Sequence, residues 1–194
     1  MAKIIKIGFD LDGVLARHYL DRFWFRMRKK KEKKIIATDG LNYFYPKSRL
    51  EKAVLTTINR LRKISSSDKK KIKGWSCRQG VEIYLVTGRF GFLRTPTLKW
   101  LEKNSLVDCF SKVFINQKNQ DPVQFKSLMI NNQGLDIFID DDLEVLEKLS
   151  SSTKAKLFWL VPNWRQIKEN GHKNIVAVNS IKEALSRIDS SFLT

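Results

Sequence analysis

Cysteine and histidine are nearly absent from this chain, with two of each in 194 residues. Cys77 and Cys109 have neither a metal-ligand spacing nor a secretory context, so they read as free thiols rather than as a disulfide or zinc framework. His172 follows Gly171 in a polar turn and receives no role, while His18 reads either as a group lining a site or as an ordinary surface residue. Long hydrophobic runs are missing too, since the apolar stretches reach only about six residues against the ~20 that cross a bilayer. Lys3, Lys6 and Asp10 break up the amino terminus, so no signal peptide is expected there. No membrane association is therefore expected, and a cytoplasmic location follows by default. Internal repeats are lacking. The stretch from Ser65 to Lys71 reads as a loop or linker able to cap a short helix, and Ser150 to Thr153 reads as a surface turn. Neither marks a boundary, so residues 1–194 are expected to form a single domain. With 42% hydrophobic and 29% charged residues, the chain can bury a core of its own.

Acidic residues are also in short supply. Twenty Asp and Glu stand against thirty-seven Lys and Arg, a formal net charge of +17. Much of the excess lies in two blocks, eight basic residues in 22–34 and seven in 60–73. Such blocks attract polyanions through counterion release and steer anionic substrates. Nucleic acid thus stays a candidate partner, although helix-turn-helix, zinc-finger and aromatic RNA-binding signatures are missing and Lys-rich surfaces are common solvated faces.

The scarce acids fall at informative places. Ile4 to Phe9 is an apolar run long enough for one buried strand, and it stops at Asp10-Leu11-Asp12-Gly13. Carboxylates at i and i+2 on a strand point the same way, so Asp10 and Asp12 can both face one divalent cation or one phosphoryl group. One would attack while the other handles protons. Taken alone, the pattern also describes a strand followed by an Asx-type turn. A second buried run, Val81 to Val86, ends at Thr87-Gly88-Arg89, a hydroxyl and a flexible backbone N–H suited to phosphate oxygens. A third, Leu135 to Ile139, ends at Asp140-Asp141-Asp142, which repel one another unless a cation or solvent intervenes. Between these lies Lys126, in a helix entered through Asp121-Pro122.

Alternation runs through the whole chain. Strands are predicted near 3–9, 81–86, 112–115, 135–139, 156–161 and 175–178, and helices near 48–64, 95–104, 122–132, 142–149, 164–170 and 180–188. The expected class is α/β, a Rossmann-like parallel sheet with helices on both faces. Trp100, Trp159 and Trp164 are expected to pack the core. Residues 16–47 stand outside the alternation and follow the first strand directly. Phe23, Trp24, Phe25, Tyr43, Phe44 and Tyr45 lie there amid basic residues, either packing this insertion onto the core or stacking a base or sugar.

The ordered set D-x-D-G-V, T-G-R, K and D-D resembles the haloacid dehalogenase (HAD) superfamily of phosphohydrolases, over roughly residues 3 to 185. Its Ile-Asp-Asp-Asp ending is similar to the nucleotidase-like branch. The resemblance implies that Asp10 attacks a phosphoryl group to form an aspartyl-phosphate and that Asp12 gives and takes the protons. It implies Mg²⁺ between Asp10, the Asp12 carbonyl and the Asp140-Asp141 pair, with Asp141 the preferred ligand and Asp140 supporting. Thr87, Gly88 and Lys126 would hold the transferring oxygens, with Gly13 and Arg89 beside the substrate. Lys118 is the rival to Lys126, and Arg89 could instead pair with Asp140 or Asp142. Glu144 and Asp142 remain candidates for further acidic groups near the metal. The insertion at 16–47 stands where a cap covers the substrate in the superfamily, here a small cap or flap.

The implied substrate is a small phosphorylated metabolite or nucleotide. One alternative is a phosphatase acting on nucleic-acid ends, or a basic nucleic-acid-binding protein on the same fold. Another is a regulatory protein that binds phosphate without turnover, which the presence of both Asp10 and Asp12 opposes.

Overall fold

The computed structural model describes residues 4–16, 63–161 and 174–192. Six runs form one parallel sheet: β1 (Ile5–Phe9), β2 (Val81–Phe90), β3 (Lys112–Asn116), β4 (Ile137–Asp140), β5 (Lys156–Leu160) and β6 (Ile175–Val178). The spatial order is β3-β2-β1-β4-β5-β6. Helices α1 (Ser66–Ser76), α2 (Arg94–Lys103), α3 (Pro122–Gln133), α4 (Leu143–Ser150) and α5 (Ile181–Phe192) lie between and after the strands.

Both faces of the sheet are covered, which is why its strands read as continuous apolar runs rather than as alternating ones. Ile5, Ile7 and Phe9 of β1 join Ile83 and Leu85 of β2 in a core completed by Ile72 and Trp75 of α1, Leu101 of α2 and Leu185 and Ile188 of α5. On the other face Tyr84, Val86, Phe138, Leu157 and Trp159 pack with Phe125 and Ile130 of α3 and Leu146 and Leu149 of α4. Each such side chain contributes about 1.5–3 kcal/mol when fully buried. The order reverses at β1: the chain first builds outward through β2 and β3, then crosses to β4 on the other side. A crevice opens at such a switch, outside the carboxyl ends of the strands, and here β1 and β4 flank it.

The class and the order of the described elements agree with the sequence reading, and three details differ. Residues 65–71 are not a loop: Ser65 caps α1, its side chain accepting the Asp68 N–H, and the lysines ride on the helix. Strand β2 does not stop at Val86 but runs to Phe90, with a register shift against β3 between Thr87 and Phe90. Strand β4 begins at Ile137 and takes in Asp140. Trp100 and Trp159 are buried as expected. The insertion beyond Ala16 with its aromatics, His18, the 22–34 block, residues 48–62, the 164–170 helix, Trp164 and His172 lie outside the described residues. No described helix is long and apolar enough to cross a membrane.

Candidate active site

Asp10 emerges where β1 ends, its N–H donating to the Ile139 carbonyl at 2.9 Å and so tying the ends of β1 and β4 together. The chain then folds tightly. The Leu15 and Ala16 N–H groups donate to the Leu11 carbonyl, and the Gly13 N–H donates back to the Ala16 carbonyl. Leu11, Val14, Leu15 and Ala16 are buried beneath this turn. Gly13 adopts φ +81°, a left-handed conformation that glycine enters without steric cost.

Lys126 arrives from α3. Asp121 caps that helix by accepting the N–H groups of Val123 and Gln124 at 3.0 Å, and Pro122 fills its first position. The start of α3 sits so near β2 that a Cβ on Gly88 would come 3.0 Å from the Pro122 Cβ. One turn further on, the Lys126 Nζ lies 2.7 Å from Asp140 Oδ2 and 3.2 Å from Asp10 Oδ1. Lys118, its rival on sequence grounds, is exposed in the turn after β3.

The acids after β4 divide their work. Asp140 is 1% exposed, with Oδ2 on Lys126 and Oδ1 accepting the Asp142 N–H at 3.0 Å. Asp142 caps α4 by accepting the Glu144 N–H, and the Glu144 side chain is exposed. Trp159, paired in register with Asp140 across β4 and β5, donates its indole N–H to the Asp141 carbonyl at 3.1 Å. Among the described residues, Asp10, Asp140 and Asp141 form the acidic group suited to a cation, each offering an oxygen within 4.8 Å of the others.

Three carboxylates around one lysine leave a surplus of negative charge in a dry place. Burial pushes the Asp10 carboxyl up to about 7, with Asp140 and Asp12 adding to the rise and Lys126 opposing it. Asp141 is raised well above the usual carboxylate range by burial, then by Asp140 and Asp10. Burial alone would lower Lys126, but Asp10 and Asp140 outweigh it and hold its ammonium firmly charged. An all-oxygen, anionic donor set with this unmet charge fits a hard divalent cation such as Mg²⁺.

On the β2 side, Gly88 and Arg89 fall within the register shift, a bulge of the kind that re-aims side chains beside active sites. Thr87 is buried, and its hydroxyl accepts the Arg89 N–H at 3.3 Å. The Arg89 guanidinium turns to neither Asp140 nor Asp142, the partners the sequence suggested. It grips Asp12 instead, Nε to Oδ2 at 2.8 Å and Nη2 to Oδ1 at 2.7 Å, while Nη1 donates to the Thr97 hydroxyl on α2 at 2.9 Å. Thr97 and Trp159 were not singled out as site residues from the sequence. Each acts through a contact that depends on how strands and helices pack, which no local motif encodes.

No family model matches the sequence, and no curated protein does. Solved structures do match. A putative HAD-hydrolase, YfnB, from Bacillus subtilis bound to magnesium is 14% identical, with 96% of this chain and 99% of that one covered at a TM-score of 0.64. An L-2-haloacid dehalogenase is 11% identical, with 97% and 100% covered at 0.65. A chain of the Pnkp1/Rnl/Hen1 RNA repair complex is 16% identical, with 81% of this chain and 43% of that one covered at 0.53. Strand order, a site at the carboxyl edge and these matches together show that the chain has the haloacid dehalogenase-like fold.

Proposed function

We propose that this chain is a Mg²⁺-dependent phosphomonoester hydrolase acting through an aspartyl-phosphate on Asp10, with a small phosphorylated metabolite or nucleotide as substrate. The observation that carries the reading is the convergence of Asp10, Asp140, Asp141 and Lys126 at the switch crevice, with Asp12 beside them. Some proteins of this fold are dehalogenases, and displacing a halide calls for no proton donor and no cation. Expelling an alkoxide from phosphorus calls for both, and a second carboxylate at i+2 beside an oxygen-lined cation site supplies them.

Asp10 would attack phosphorus, forming its P–O bond as the bond to the leaving oxygen breaks. Asp12 would pass a proton to that departing oxygen, then take one from the water that attacks the aspartyl-phosphate, releasing phosphate and restoring Asp10. Lys126 would hold the Asp10 carboxylate in line and meet charge on the transferring oxygens, with the Thr87 hydroxyl and the Gly88 N–H beside it. Asp141 is the better placed cation ligand of the pair, because both Asp140 oxygens already have partners. Mg²⁺, when bound, neutralises the clustered carboxylates and draws charge from the phosphoryl oxygens.

A second reading, phosphate removal from nucleic-acid ends, is favoured by the +17 charge, by the exposed Lys70, Lys71 and Lys73 on α1 and by the match to a chain of an RNA repair complex. One experiment separates the two. Phosphate release is followed over nucleoside monophosphates, sugar phosphates and 5′- or 3′-phosphorylated oligonucleotides, with Mg²⁺ or EDTA. Turnover that needs Mg²⁺ and vanishes in Asp10→Asn supports a phosphatase, and the preferred substrate decides between the readings. No release above that variant on any substrate rejects both.

A further inference from the structure

Arg89 is a long cation whose side chain is almost wholly enclosed, 4% exposed, whereas the Asp12 side chain it grips is 32% exposed. Its hydrogen bonds run in a chain, from α2 through the Thr97 hydroxyl to Arg89 and on to both oxygens of Asp12. Thr97 has no solvent exposure, and it is the anchor at the far end of that chain. A fork of this kind fixes the plane of a carboxylate, which a point charge such as lysine does not.

We infer that Arg89, held by Thr97, is a positioning residue that sets the plane of the Asp12 carboxylate for proton exchange with the leaving oxygen. This rests on the phosphatase reading of the site and adds a residue pair to it. The Arg89 side chain is enclosed while Asp12 stays part-exposed, which leaves that carboxyl accessible to a substrate. From the Asp12 carboxyl the proton passes first to the departing oxygen, and the same group later takes one from the attacking water. Both protons are accounted for between Asp12, the leaving group and water, and Arg89 loses none.

The clamp matters in proportion to how much proton the leaving group needs. A p-nitrophenolate departs as a stable anion, whereas a benzyl alkoxide does not depart without protonation. The test compares wild type, Arg89→Lys and Thr97→Val on p-nitrophenyl, phenyl and benzyl phosphate with saturating Mg²⁺. With Arg89→Lys, kcat/KM, which reports aspartyl-phosphate formation and not its later hydrolysis, should fall about tenfold or more on benzyl phosphate and by no more than about threefold on p-nitrophenyl phosphate. Thr97→Val, which keeps the arginine and its charge, should show the same graded pattern more weakly. Equal losses on all three esters would overturn the inference, marking the contact as structural. A rise in KM common to all three would overturn it as well, placing Arg89 on the substrate phosphate. If wild type hydrolyses none of the esters, the phosphatase reading itself fails and the clamp fails with it.

Discussion

Gly13 and Asp141 are packed so closely that a Cβ built on Gly13 would stand 1.9 Å from Asp141 Oδ2 and 2.1 Å from its Cγ. No rotation of a methyl group relieves such an overlap, and φ +81° adds strain of about 1–2 kcal/mol for any L side chain. Gly13→Ala should therefore fold and yet push the Asp141 carboxylate out of the proposed cation site. The expected outcome is Mg²⁺ affinity lowered by about tenfold or more, read by calorimetry or by the Mg²⁺-induced rise in Tm. An unchanged Mg²⁺ response would remove Asp141 from the ligand set.

Lys126 calls for the opposite kind of variant. It is the cation in contact with both Asp10 and Asp140, and removing one partner of a buried ion group costs about 3–5 kcal/mol. Lys126→Met should destabilise the metal-free protein by that order at pH 8. The loss should shrink at pH 5, where Asp10 takes up a proton and no longer needs a counter-charge. Lys126 itself stays protonated throughout that range, so the dependence comes from the acids. Denaturant melts at the two pH values check this, and equal losses would place the contribution of Lys126 in packing rather than in charge.

Some of these relationships were legible in the sequence and some were not, for physical reasons. Strand β1 and its acids were readable because a strand buried on both faces must be apolar along its length and a polar residue ends it sharply. Lys126 could be preferred to Lys118 because Asp121-Pro122 fixes where α3 starts. Residues 65–71 read as a loop or linker able to cap a short helix, and not as part of α1 itself, because Ile72 and Trp75 are the buried residues of that helix and the lysines around them dilute the periodicity. The Arg89–Asp12 pair lay beyond reach. It depends on how far β2 continues and where its register shifts, and both are settled by pairing with β3. Asp142, weighed as a metal-site acid, serves as the cap of α4, since a carboxylate just before an apolar run satisfies either role on paper.

Trp159 connects the core on the α3–α4 face to the proposed cation site. Its ring is buried, and its N–H holds the Asp141 carbonyl. Trp159→Phe keeps most of the packing and removes the donor, a loss of about 1 kcal/mol in stability. Because the released carbonyl belongs to a proposed cation ligand, Mg²⁺ affinity should fall more than stability alone accounts for, by about tenfold. Trp159→Tyr should not restore it, since its hydroxyl lies elsewhere on the ring. Calorimetric titration of wild type and both variants gives the comparison, and full affinity in Trp159→Phe would reduce the contact to packing.

Asp10 links stability, pH and metal in one measurement. Its carboxyl ionises near its ordinary value of 3.8 in the unfolded chain and near 7 in the folded, metal-free one. Between those values the folded state holds a proton that the unfolded state has released. The stability this provides is complete below pH 3.8 and is lost as pH rises through 7, at a cost of at most a few kcal/mol. Mg²⁺ competes with the same proton, so the Asp10 share of its affinity should climb up to about tenfold per pH unit below 7 and level off above it. Thermal melts at pH 5, 6, 7 and 8 in EDTA and in Mg²⁺ should therefore diverge as pH rises. In Asp10→Asn there is no proton to displace at that position, so the metal-free slope should flatten and the gap between the two melts should narrow. Other acids titrate in the same range and in both directions, which makes the difference between wild type and variant the informative quantity. A gap that stays constant with pH in wild type would mean that Asp10 gives up no proton when the cation binds, and Asp10 would then not be a ligand.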